Sequence, residues 1–163
     1  MGMLAGVGCS DAGSDGGTTT TVTSEQAIAD GTWFALVTVG EDETGEMTLG
    51  VDLAEMLSGE EARAAAVDDG VIAEGEDLPN DFYIDNDEQV SELLHVAEGA
   101  GFELISGADT SQRVQVDAPI LAEAYEGTYT GVPLYGVVPG APIAMDITIA
   151  EGLVSHGEAV YLP

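Results

Sequence analysis

Lysine is absent from this sequence, and arginine occurs only twice, at Arg63 and Arg113, against 31 aspartates and glutamates. The net charge is -29 over 163 residues. A chain so poor in cations repels nucleic acid and anionic headgroups, because phosphate binding runs on Lys and Arg. Nucleic acid is excluded as a partner. Two arginines also allow few internal ion pairs, so self-repulsion has to be relieved by dissolved cations. Molar salt shortens the screening length to about 3 Å, from about 8 Å at physiological strength. The composition therefore implies halophilic adaptation or another cation-rich setting, with plain acidic solubility as the alternative.

Cysteine is nearly absent too. The single Cys9 excludes an internal disulfide and any multi-cysteine metal cluster. Histidine occurs only at His95 and His156, without the H-E-x-x-H or C-x-x-C spacing of zinc sites. There is no G-x-S-x-G elbow for a nucleophilic serine and no phosphate-cradling glycine loop. No apolar run reaches the roughly 18 to 20 residues of a membrane-spanning helix. Apolar residues nevertheless make up 45% of the chain, enough for a real core.

What is present begins with Met3-Leu4-Ala5-Gly6-Val7-Gly8-Cys9, a short apolar run with small residues before a cysteine. It reads as the end of a truncated lipoprotein signal over residues 1–9, with Cys9 as the lipidated residue and the membrane as the partner reached through it. Position -3 is Gly6 where such signals usually carry Leu. Residues 10–23 (SDAGSDGGTTTTVT) have too few apolar side chains to fold and read as a flexible tether. Residues 24–163 are then expected to form one β-rich globular domain outside the cytoplasm, in a cell envelope.

Within that domain, GTWFALVTV (31–39) and EMTLGV (46–51) flank a polar turn and predict a hairpin. Asp52 predicts a helical turn over 53–57, and the Ser58/Glu61 capping box predicts a helix ending near Gly70. Phe82-Tyr83-Ile84 predicts a third strand. Residues 90–105 are expected as two strands turning at Glu98-Gly99-Ala100-Gly101, with helix followed by strand as the alternative. RVQV (113–116) predicts a strand, then a second helix from Asp117 to Glu126 stopped by Gly127. AMDITI (144–149) and Leu153 to His156 predict a last hairpin, with residues 159–163 pairing into the sheet. The fold class is α+β and β-rich: a small twisted sheet or partly closed barrel, OB-like being one such arrangement, with two short helices. A flatter α+β sheet is the alternative.

Three stretches together carry a resemblance: Asp69 to Asp87 (D-G-V-I-x-x-G-E-x-L-P-N-D-F-Y-I-x-N-D), Ile147 to Val154 (I-T-I-x-x-G-x-V) and the terminal Tyr161-Leu162-Pro163. The pattern resembles small secreted bacterial lipoproteins of uncharacterised function. Such relatives usually carry arginines and a proline after the strand end, where this chain has Asp87-Glu88-Gln89. The resemblance implies location and fold, and no known activity.

The chemistry-bearing residues are mostly oxygen donors. Asp81, Asp85, Asn86, Asp87 and Glu88 crowd hard ligands around one strand end, of the type that suits calcium or magnesium, calcium being the candidate cofactor. The EF-hand spacing is not there; a solvated strand end is the plain alternative. Glu41, Asp42, Glu43 and Glu46 gather a second acidic group at the first hairpin turn, where like charges are expected to raise one another's pKa and favour cation uptake. Among the aromatics, Tyr129 and Tyr135 lie in a Gly/Pro-rich loop and are the candidates for a protein or glycan surface. Taken together, a non-enzymatic binding or structural module with no cofactor is expected first. A divalent-cation protein using the Asp81 to Glu88 edge comes second, and an enzyme with an unrecognised carboxylate site third.

Overall fold

The computed structural model describes residues 28–86 and 90–162. Strands β1 (Gly31–Glu41) and β2 (Met47–Leu53) form the expected hairpin, antiparallel from Ala35↔Leu53 to Glu41↔Met47. Their side chains alternate as a half-buried sheet requires. Ala35 and Val37 on β1, with Leu49 and Val51 on β2, are fully buried, while Thr38 and Gly40 on β1 with Thr48 and Gly50 on β2 point to the outside.

The helical turn expected over 53–57 does not form. The chain stays extended as Leu53 donates to the Val90 carbonyl and Ala54 to that of Phe34. It then enters strand β3 (Glu55–Ser58), which pairs with β4 (Phe82–Asp85) in a separate two-stranded sheet. A single helical turn closes one hydrogen bond at a high entropic cost, whereas the ladder gives every residue of β3 a partner. Between them, helix α1 (Gly59–Asp68) packs on this small sheet through Ala62 and Ala66. Ser58 does occupy the N-cap position, but its side chain makes no capping hydrogen bond. Arg63 on α1 reaches Asp77 in the following loop at 2.6 Å, and the Tyr83 hydroxyl on β4 donates to Oδ2 of Asp69, at the end of the helix, at 2.7 Å.

Residues 90–105 are not two strands but one. Strand β5 (Ser91–Ile105) runs through its glycines, and its register against a later strand shifts between Val96 and Gly101. Gly99 sits there at φ 77°, the irregularity that bends the strand rather than reversing it. The bend lets β5 serve two partners. Ser91 to His95 pair with β2, and Gly101 to Ile105 pair with β6 (Arg113–Asp117).

Helix α2 (Ala118–Glu126) forms as its signals predict. Asp117 accepts from the Ile120 amide at 3.1 Å, proline stands in the first turn, and Gly127 closes the helix at φ 78°. It buries Leu121 and Ala124 against the core. Strands β7 (Ile143–Ala150) and β8 (Leu153–Ala159) complete the sheet, with β8 inserted between β7 (antiparallel) and β5 (parallel). Of the described residues expected to pair at the end, Ala159 and Val160 do so and Tyr161 and Leu162 do not, Pro163 lying outside them. The Val160 amide still donates to Ala144, and then Tyr161 leaves to stack on Tyr135 with ring centroids 4.9 Å apart.

The strand order is β2-β1-β7-β8-β5 with β6 appended, and pairing of β2 with β5 closes the ring. Five strands, mixed in direction, make a closed barrel, and their connectivity is the OB-like one: the parallel pair joins the third and fifth barrel strands. Phe102, Leu49, Leu104, Met145 and Ile147 fill its interior with no residual exposure.

Candidate functional site

The outer face of β1, β2 and β5 is fixed by register. Gly40 stands opposite Thr48, and Thr48 opposite His95, so these three project on the same side of the sheet. Two residues further on, the Asp42 amide donates to the Glu46 carbonyl at 2.9 Å, which keeps the alternation going through the turn. Asp42 and Glu46 therefore share the face of Thr48 and His95.

Local hydrogen bonds hold the turn. Asp42 Oδ1 accepts from the Thr44 amide at 2.8 Å, the Thr44 hydroxyl at 2.7 Å and the Glu46 amide at 2.9 Å. This leaves Oδ2 to face His95 Nε2 at 4.0 Å. One ligand atom each from Asp42, Glu46 and His95 lie within 4.8 Å of one another, a group able to hold a metal ion. The neighbouring carboxylates were expected to raise one another's pKa, and Asp42 goes the other way. The Thr44 hydroxyl leads in holding its carboxyl below the usual 3.8, with the Glu46 amide next and partial burial opposing. Asp42 thus stays ionised and oriented.

Beneath this group lies Thr48, 1% exposed although it faces outward. Its Oγ1 is buried and has no hydrogen-bond partner among the described residues.

The residues singled out in the sequence are dispersed. Asp81 and Asp85 sit at the two ends of β4, roughly 13 Å apart at about 3.3 Å per strand residue. Asn86 follows Asp85 and donates to Asp52 Oδ2 at 2.9 Å, while its own Oδ1 is buried without a partner among the described residues. Asn86 and Asp85 line a groove of about 430 Å³ with Trp33, Phe34 and Leu53. Cys9, Asp87 and Glu88 lie outside the described residues. Tyr129 and Tyr135 are half-buried and packed against the core. Tyr135 also donates to the Leu162 carbonyl at 2.5 Å, and its hydroxyl pKa is raised, first by burial and then by Tyr161.

One carboxylate pair converges across strands. Asp146 stands opposite Glu158, and its pKa is raised by partial desolvation and then by the Glu158 charge. Asp146 is nonetheless exposed on the outer face, and Glu158 is engaged by Arg113 at 3.3 Å.

No protein-family model matches the chain, and neither does any curated protein or solved structure. The class of the molecule, an OB-like closed barrel, stands on its own strand order. Sequence reasoning had the acidic turn at Glu41 to Glu46 but missed His95 and Thr48. The only signal for them was the register between β2 and β5, which no local pattern carries.

Proposed function

We propose that this chain is a non-enzymatic binding or structural module of a bacterial cell envelope, held to a membrane by a lipid on Cys9 and working through its outer surface. The observation that carries this reading is the filled barrel interior: with Phe102, Leu104 and Met145 fully buried, a ligand has to meet the outside of the sheet. Part of that outside, over the β1–β2 turn, is where donors gather. Both arginines are engaged in ion pairs, Arg63 with Asp77 and Arg113 with Glu158. An anionic oligonucleotide therefore finds no free cation among the described residues, which argues against the nucleic-acid role that some OB-like barrels have.

The small-residue run ending in Cys9, the Gly/Ser/Thr tether and the likeness to small secreted lipoproteins support the location. Expression behind a complete secretion signal tests it. The protein is expected to partition with membranes, and Cys9→Ala is expected to release it. Partitioning that survives the substitution removes the anchor.

A second reading, calcium held at the strand end after β4, is favoured by one observation. Asn86 Oδ1 is a buried oxygen acceptor without a partner among the described residues, next in sequence to Asp85. Calorimetry with Ca²⁺ is expected to show saturable binding that disappears in Asp85→Asn; a response that never saturates defeats this reading.

A further inference from the structure

We propose that the β1–β2 turn and β5 form a site for one divalent first-row transition-metal ion, bound by Asp42, Glu46 and His95 above the Thr48 hydroxyl. The proposal deepens the binding-module reading by naming a ligand class, and it is independent of the lipid anchor.

An acidic turn alone would be a solvated loop. Two features set this one apart. The first is the imidazole, brought in by the pairing of Thr48 with His95. A nitrogen donor beside two carboxylates shifts preference from calcium and magnesium towards zinc, manganese or iron, because hard alkaline-earth ions take oxygen almost exclusively. The second is Thr48. A buried hydroxyl without a partner is costly and is rare in a folded protein. By register its neighbours on that face are the members of the site: His95 opposite, Glu46 two residues earlier on its own strand, and Asp42 diagonally across, while the oxygen itself stands 3.7 Å from where a Gly40 Cβ would be. Gly40, on its other side, contributes no side chain. A metal ion, or a water bound to one, placed among those donors gives the hydroxyl the partner it lacks.

The distances fit. Three atoms each 4.8 Å from the other two have their common centre about 2.8 Å from each, so bonds near 2.1 Å need at most about 0.7 Å from each donor. The exposed side chains of Glu46 and His95 can supply that movement. Asp42 need not move far, since its Oδ1 is already fixed by three donors and its Oδ2 already faces His95. Orientation of a ligating carboxylate through its second oxygen is the usual way a protein stiffens a metal site.

The test is calorimetry of the metal-free full chain, carrying Cys9→Ser to remove the competing thiol, with Zn²⁺ and with Mn²⁺ in 1 M NaCl. High salt suppresses loose counterion uptake by the other carboxylates. The expected result is one saturable equivalent, weakened at least tenfold by His95→Gln and by Glu46→Gln and unchanged by Glu74→Gln, an exposed carboxylate outside both candidate sites. Both glutamine variants alter exposed side chains, so circular dichroism is expected to show them folded. Thr48→Val supplies a second readout: the metal-free melting temperature rises, because the orphaned hydroxyl is gone, while the shift produced by metal shrinks. Binding that persists in His95→Gln, or several equivalents that fade with salt, overturns the proposal. So does a Thr48→Val variant with the full metal-induced shift.

Discussion

Gly157 is where the interior of the barrel is tightest. It faces inward on β8, opposite Phe102 on one side and Ile147 on the other. A Cβ added there would lie 2.8 Å from Phe102 Cδ1 and 3.1 Å from Met145 Cε. Both side chains are fully buried and have no room to retreat. Gly157→Ala is therefore expected to destabilise the protein by about 1 to 3 kcal/mol, the usual range for overpacking, measured by urea unfolding. The same site shows what a sequence hides at this scale. The strand expected at Leu153 to His156 runs on through Gly157, and only the neighbouring ring explains why the side chain is missing there.

Among the elements, the two helices make a controlled comparison. Both begin with a residue of good capping type, yet the Asp117 side chain caps the Ile120 amide and the Ser58 side chain caps nothing. Asp117→Ala is expected to cost about 1 kcal/mol, whereas Ser58→Ala should leave the unfolding midpoint nearly unchanged. Helix α2 was legible because its signals are local: a capping aspartate, a proline in the first turn, a glycine at the stop. The hairpin of β1 and β2 was legible for the same reason. Strand β5 was not. Its glycines look like a turn in isolation, and they act as a bend only because β2, β6 and β8 hold the strand along its length. The turn expected at 53–57 failed likewise, since Val90 and Phe34, distant in sequence, offer its amides better partners. The candidate site follows the same division: its acidic half lies in one turn and could be read, and its imidazole arrives by strand pairing.

The whole molecule carries its charge with little internal compensation. At pH 7 the melting temperature is expected to climb as NaCl is raised towards 1 M, where screening reaches about 3 Å; a flat response would leave the acidic composition a matter of solubility alone. The pH dependence has two arms of opposite sign. Asp30, Asp42 and Asp109 have folded pKa values below 3.8. The causes are the Gly152 and Glu151 amides for Asp30, the Thr44 hydroxyl first for Asp42, and the Ser111 hydroxyl first for Asp109. Their contribution is complete above pH 3.8 and is lost as pH falls through the lowered values. Asp146 is raised by desolvation and by Glu158, so its ionised form burdens the fold and protonation relieves it. Thermal scans are expected to show stability growing as pH is lowered through the raised folded value of Asp146 towards 3.8, then declining below 3.8.

The position of β8 has a consequence for how the chain comes into being. Among the described strands the last in sequence, residues 153–159, lies between β7 and β5, both of which precede it. Until it docks, those two strands have no common neighbour and the ring stays open, so the strands that precede it wait, with apolar faces uncovered, for this one segment. Such long-range closure makes for slow folding, with unpaired strand edges open to aggregation in the meantime.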